Sequence, residues 1–326
     1  MAAARSLDQK LNRIRAGRYR HADFIIADAK DADMGFGLTA PGPDGNSGFR
    51  SRDQYLDAMA AMTRSGLVDI MLMSASSAEA LLKRGAFKNS KVTPAIRLND
   101  TTDIWSQRGC GYRQHASRPF ATAEPAQAAK ICNLGLYSIT FSNDVERDRE
   151  TLMTYRAFRA EAQRCKLRYF LEVFNPGFDI GLTGTEIGHY VNDCIIRSLA
   201  GVMSADRPLF LKLQYNGPKA MEELASYDPR GLIVGVLGGG KGTTRDTFEL
   251  ALQSERHGAR VALFGRKINL AEAPLDLVSL MRRVIEDETS SADAVKAYHD
   301  GLQKAGIKPH RRLDEDLEIT ETVLRG

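Results

Sequence analysis

Cysteine is scarce in this chain and never closely paired. Cys110, Cys132, Cys165 and Cys194 include no C-x-x-C step, which argues against a zinc site or a dithiol redox motif. Four dispersed thiols in 326 residues suit a reducing compartment, so a cytoplasmic location is expected. No stretch approaches the roughly 18 apolar residues of a membrane span. Residues 1–20 are basic but lack the apolar segment of a secretory signal. The excess of one charge sign is small, a net +4 at pH 7, and no dense run of Lys or Arg accompanies it. Neither nucleic acid nor a membrane is therefore an expected partner. The six histidines show no metal-ligand spacing, and Trp105 is the only tryptophan.

What is present points to a large folded core. Hydrophobic residues make up 43% and charged residues 26%, as in globular proteins. Short β-type runs recur at 23–28, 68–74, 92–98, 136–142, 167–174, 209–215, 232–237 and 260–264. Helical periodicity fills most gaps, most clearly at 145–165, 243–257 and 274–285, with Asp144 and Asp246 near helix starts. Alternating β and α segments imply a parallel sheet, and eight repeats over about 250 residues fit an α/β fold of the (β/α)8 barrel type. A doubly wound sheet is the alternative. It would carry a glycine fingerprint after the first strand, where Asp28-Ala29-Lys30-Asp31 stands instead. The expected organisation is an N-terminal helical segment (1–22), a barrel (23–286) and a charged C-terminal helical extension (287–326) lying outside it or against a second subunit. The connections 35–50 and 99–120 follow strands and are candidate lids on the C-terminal face, where barrel active sites form.

Two features carry chemistry. Lys212 sits in Leu209-Phe210-Leu211-Lys212-Leu213-Gln214-Tyr215. A lone buried ammonium loses hydration, which predicts an amine pushed toward neutrality and able to attack a carbonyl. Gln214, two residues on, is expected on the same face. Glu172, in Leu171-Glu172-Val173, is placed to move protons beside it, and a purely structural salt bridge is the competing reading. Asp28, Arg97 and Asn99 lie at the ends of other strands. The second feature is Gly238-Gly239-Gly240-Lys241-Gly242, followed one strand later by Gly265-Arg266-Lys267. Successive glycines bring backbone N–H groups close to an anion, and the helix that follows offers its positive end. Two such turns after strands seven and eight predict a phosphate cradle.

These residues resemble the class I (Schiff-base) aldolase superfamily of deoxyribose-phosphate, tagatose-bisphosphate, archaeal-type fructose-bisphosphate and sulfofructose-phosphate aldolases. The features that match are Ile25-Ile26-Ala27-Asp28, Glu172, Lys212, the strand-seven glycines and Val261-Ala262-Leu263-Phe264-Gly265-Arg266. The resemblance implies a metal-independent, cofactor-free lyase that cleaves or forms a C–C bond in a phosphorylated ketose, with an aldehyde as the other partner. It also implies a homo-oligomer. Lys212 would be the imine nucleophile and Asp28 and Glu172 the acid/base pair. Gly239, Gly240, Gly265 and Arg266 would hold phosphate, with Arg97, Gln214 and Lys241 as further substrate contacts. The fourth strand lacks the second lysine of tagatose-type members, and Lys30 is a candidate replacement. A lysine-dependent transferase and a non-catalytic sugar-phosphate-binding barrel remain alternatives.

Overall fold

The computed structural model describes residues 5–325. Eight strands, β1 (Ile25–Lys30), β2 (Ile70–Met73), β3 (Thr93–Arg97), β4 (Leu134–Thr140), β5 (Arg168–Phe174), β6 (Leu211–Leu213), β7 (Gly235–Leu237) and β8 (Val261–Phe264), pair side by side in sequence order. All the barrel pairs are parallel, and β1 bonds to both β2 and β8, which closes the sheet. The fold is a (β/α)8 barrel. Its strands are buried along nearly their whole length because helices cover one face and packed side chains fill the other. Each expected strand overlaps an observed one. Several boundaries shift by a few residues: β6 is shorter than 209–215, β4 lies at Leu134–Thr140 rather than 136–142, β7 starts at Gly235 rather than 232, and β1 runs to Lys30 rather than Asp28.

The helices longer than two turns are α1 (Ser6–Arg15), α2 (Arg52–Ser65), α3 (Ala75–Lys83), α4 (Val145–Arg164), α5 (Gly184–Ala200), α6 (Pro218–Tyr227), α7 (Thr244–Arg256), α8 (Pro274–Ile285) and α9 (Ser291–Lys304). The three clear helical patterns are α4, α7 and α8. Asp144 caps α4 by accepting from the Arg147 N–H at 2.9 Å. On α7, Thr243 and Asp246 form a reciprocal capping box. Helix α1 packs on the N-terminal end of the barrel through Leu7, Leu11 and Ile14, spaced as one helical face. Its Lys10 ammonium donates to the Phe24 carbonyl and to Asp69, 2.8 and 2.9 Å away.

Inside the barrel, Phe170 and Phe210 stack with ring centroids 4.6 Å apart. They lie two residues before Glu172 and Lys212, so the side-chain period of two puts all four on the inner face. The stacked rings seal the barrel below the charged pair. Between β3 and β4 the chain forms a small antiparallel pair, Asp100–Thr101 with Pro119–Phe120. Trp105 packs edge-on against Phe120 there, and the Ser106 N–H donates to the Gly35 carbonyl at 2.9 Å. The two long loops therefore meet over one side of the barrel mouth.

The C-terminal segment departs from expectation. Asp316 accepts from the Thr244 N–H, Thr320 and Glu321 donate to Asp246, and Glu321 reaches the Lys267 ammonium at 2.6 Å. Glu321, Thr322 and Val323 then form part of the wall of the central cavity. Helix α9 packs on the outside of the barrel against α7 and α8 as expected, and only residues 321–323 turn in to the cavity. The buried Asp246 carboxylate needs donors, and the strand-free tail supplies them.

Candidate active site

A cavity of about 960 Å³ opens at the C-terminal ends of the strands. That is near the upper end of the range typical for small-molecule sites. Lys212 and Glu172 are direct cross-strand partners on β6 and β5, and Ser138 on β4 is the partner of Glu172. Lys212 Nζ lies 2.6 Å from Glu172 Oε1, with both side chains almost fully buried. Lys212 is thus not the lone charge that its strand suggested, because its counter-ion comes from the neighbouring strand. Ser138 Oγ donates to Glu172 Oε2 at 2.8 Å, and Arg97 stands 3.6 Å from the same oxygen.

Arg97 ends β3 and is itself clamped. Its guanidinium donates to Asp31 and to Asp100, both at 2.8 Å, and to the Asn99 carbonyl at 3.0 Å. The Asn99 amide brackets the Ser138 backbone, accepting from its N–H and donating to its carbonyl. Burial pushes the Asp100 carboxyl up to about 6, despite the stabilising charge of Arg97. The result is a chain of ion pairs from Asp31 through Arg97 to Glu172 and Lys212, with Asp100 behind it.

Asp28 is not part of this chain. Its neighbours Ala29 and Asp31 line the cavity, whereas Asp28 and Lys30 point to the other side of β1. Lys30 donates to Asn269 at 2.9 Å and lies 3.5 Å from Asp28, in the layer between barrel and helices. Both Asp28 oxygens lack hydrogen-bond donors among the described residues, and burial raises the Asp28 pKa and lowers that of Lys30. The carboxylate that β1 delivers to the site is Asp31, which sequence reading missed. The extra two residues of β1 and strict alternation from Ala29 are the signal that would have found it.

The glycine turns divide in the same way. Gly238, Gly239, Gly265 and Arg266 line the cavity, and Gln214 does so beside Lys212. Gly239 adopts a φ of +65°, and a Cβ on Gly265 would stand 2.9 Å from the Ala29 carbonyl oxygen. Both positions therefore require glycine. Gly240 and Lys241 are not on the cavity wall. Lys241 turns outward to His310. Nor does α7 present a free positive end, because Thr243, Asp246 and Asp316 already take up its first N–H groups.

Two arginines on the wall have no carboxylate partner among the described residues. Arg266, after β8, stacks over Phe36 of the first long loop with its guanidinium carbon 5.1 Å from the ring centroid. Arg113 reaches the cavity from the second long loop. Burial first, and then the charge of Arg113, holds Arg266 below the usual arginine value. Two mutually repelling guanidinium groups on one wall mark the end of the cavity suited to an anion. Arg113 was not among the residues singled out from sequence, because nothing in loop 99–120 foretells its path. Tyr215 also lines the cavity. Its hydroxyl is buried without a partner among the described residues, and burial raises its pKa to about 12, so it stays protonated at neutral pH.

No protein-family model and no curated protein matches this sequence. Solved structures do match it. An archaeal fructose 1,6-bisphosphate aldolase superposes with a TM-score of 0.62 at 16% identity, covering 86% of this chain and 99% of its own. A Schiff-base-forming fructose-1,6-bisphosphate aldolase gives 0.63 at 17% identity, with the same coverage. The fructose-bisphosphate aldolase of Slackia heliotrinireducens gives 0.63 at 11% identity, covering 90% of this chain and 91% of its own. The chain therefore has the barrel fold on which Schiff-base-forming fructose-bisphosphate aldolases are built. At these identities the likeness establishes the fold alone.

Proposed function

We propose that this protein is a class I aldolase, a lyase that cleaves or forms a C–C bond in a phosphorylated ketose through an imine on Lys212. The observation that carries the reading is the Lys212–Glu172 pair at 2.6 Å, set in a cavity whose rim holds two unpaired arginines. A buried ion pair is a poor source of stability compared with apolar packing, which favours a chemical role. In this mechanism Glu172 takes a proton from the Lys212 ammonium, and the freed amine attacks the ketose carbonyl. Loss of water leaves a protonated imine. A base removes the proton of the hydroxyl two carbons from the imine carbon, the C–C bond breaks, and its electron pair moves into the imine to give an enamine. The aldehyde leaves, the enamine is protonated, and water releases the second product and the free amine.

Glu172 and Asp31 are the carboxylates we assign to these proton transfers, joined through Arg97. Gly239, Gly265, Arg266 and Arg113 are assigned to the phosphate, where charge-assisted hydrogen bonds are strongest.

The test is reductive trapping. The protein is incubated with dihydroxyacetone phosphate or fructose 1,6-bisphosphate and borohydride, and the adduct is located by mass spectrometry. An adduct on Lys212 that disappears in Lys212→Met supports the proposal. An adduct that persists in that variant, or none with a series of ketose phosphates, refutes it.

A further inference from the structure

A second cavity, of about 700 Å³, lies at the opposite end of the barrel. Its walls come from segments that lead into strands: the end of α1, the α4–β5 turn, and the loops preceding β6 and β7. It thus sits on the N-terminal face, away from Lys212. The whole chain carries a net charge of +4, yet six cations line this one cavity against a single carboxylate, Asp206. The cations are Arg15, Arg159, Lys166, Arg168, Arg207 and Arg230.

Only two of them are neutralised. Arg168 pairs with Asp8 and Arg207 with Asp228. Arg15, Arg159, Lys166 and Arg230 form no ion pair among the described residues. The Nε of Arg159 is buried with no acceptor among the described residues, while its guanidinium lies over the Tyr155 ring, 5.2 Å from the centroid. A buried donor without an acceptor is destabilising until a ligand supplies one. Burial, followed by the charge of Arg168, holds Arg15 below its ordinary value. Arg159 is half-buried and Arg15, Lys166 and Arg230 are exposed; together they outnumber the single Asp206 carboxylate and leave the concavity net positive, a field that an anion of at least two charges would balance. Ala162, Leu167, Pro208 and Leu209 add apolar wall between them.

We propose that this N-terminal-face cavity is a second anion site, which binds a phosphorylated small molecule carrying an apolar body. Inorganic phosphate would fill only part of the volume, whereas a nucleotide-sized phosphate ester would use both the charges and the apolar wall. The proposal rests on these residues alone and is independent of the reaction assigned to Lys212.

Isothermal titration of the full chain with adenosine diphosphate and with pyrophosphate tests it. The R159A/R230A double variant is expected to weaken binding of both probes by about tenfold or more, the loss expected for charge-assisted hydrogen bonds. Arg266→Ala, on the other cavity, is expected to leave a binding step of wild-type strength. Arg159→Lys retains charge and is expected to bind more tightly than Arg159→Ala, which separates charge from damage to the fold. The proposal is overturned if neither probe binds at millimolar concentration. It is also overturned if all binding is lost in Arg266→Ala while R159A/R230A binds as wild type, since the probes would then occupy only the Lys212 cavity.

Discussion

Glu172 and Lys212 are paired twice, as backbone register partners on β5 and β6 and as an ion pair of 2.6 Å. The register makes the contact unavoidable, because both side chains leave the sheet toward the same inner face at the same height. Neither residue can then be changed without consequence for the other.

Lys212→Met is expected to abolish C–C cleavage and reductive trapping, with activity down by at least about a thousandfold, as for loss of a nucleophile. The same change leaves Glu172 with only Ser138 and Arg97. Breaking a buried pair costs about 3–5 kcal/mol. The K212M/E172L double variant, which removes both charges, is expected to be more stable than either single variant. Urea denaturation of the four proteins reads this directly, and additive losses would show that the pair is not energetically coupled.

Asp31 and Asp28 are separated by one experiment. Asp31 touches Arg97 on the cavity wall, whereas Asp28 lies behind the strand. Asp31→Asn is expected to lower kcat by about a hundredfold, in the range of lost acid–base catalysis. Asp28→Asn is expected to leave kcat within about threefold of wild type, which is small beside that loss. The reverse order would return the catalytic role to Asp28.

Asp100 predicts a pH dependence of stability. Burial raises its folded-state pKa to about 6, above the unfolded value. Its contribution is therefore fully present below the unfolded pKa near 4 and is lost as pH rises through about 6. Asp100→Asn carries no such titration. The stability of the variant relative to wild type is expected to rise between about pH 4 and 6 and to level off above. Denaturant titrations at pH 4, 5, 6 and 7 measure it, and a flat difference would exclude the titration.

Arg113 and Arg266 predict a change in KM. Arg113→Ala and Arg266→Ala are each expected to raise KM for a phosphorylated ketose by about 10- to 100-fold, the equivalent of one charge-assisted hydrogen bond. Turnover of the unphosphorylated sugar should be far less affected. Equal losses on both sugars would place the arginines outside phosphate recognition.

Glu321 predicts that the tail is part of the site. Its carboxylate neutralises Lys267, whose side chain has no exposure. Glu321→Ala is expected to destabilise the protein by about 3 kcal/mol, the cost of an unpaired buried charge. Removal of residues 316–326 is expected to lower kcat/KM as well, since Thr322 and Val323 leave the cavity wall. A truncated protein with unchanged kcat/KM would reduce the tail to a stabilising role.

The sequence by itself determined the barrel and the inner face. Eight apolar runs separated by helical periodicity leave little else to build, and a period of two fixes Glu172, Lys212 and Gln214 on one side once their strands are placed. Helix α8 was legible residue for residue because Pro274 opens it and the apolar stripe runs to Ile285. The tertiary structure decided what depends on contacts between distant segments. By extending β1 to Lys30 it exchanged Asp28 for Asp31. It also closed the α7 N-terminus with Asp316, turned Lys241 outward, and carried Arg113 and Glu321 to the cavity along irregular chain. A hydrophobic period records which face is buried. Loop paths and ion-pair partners are set instead by charge and hydrogen-bond satisfaction among groups far apart in the chain, and those have no period to read.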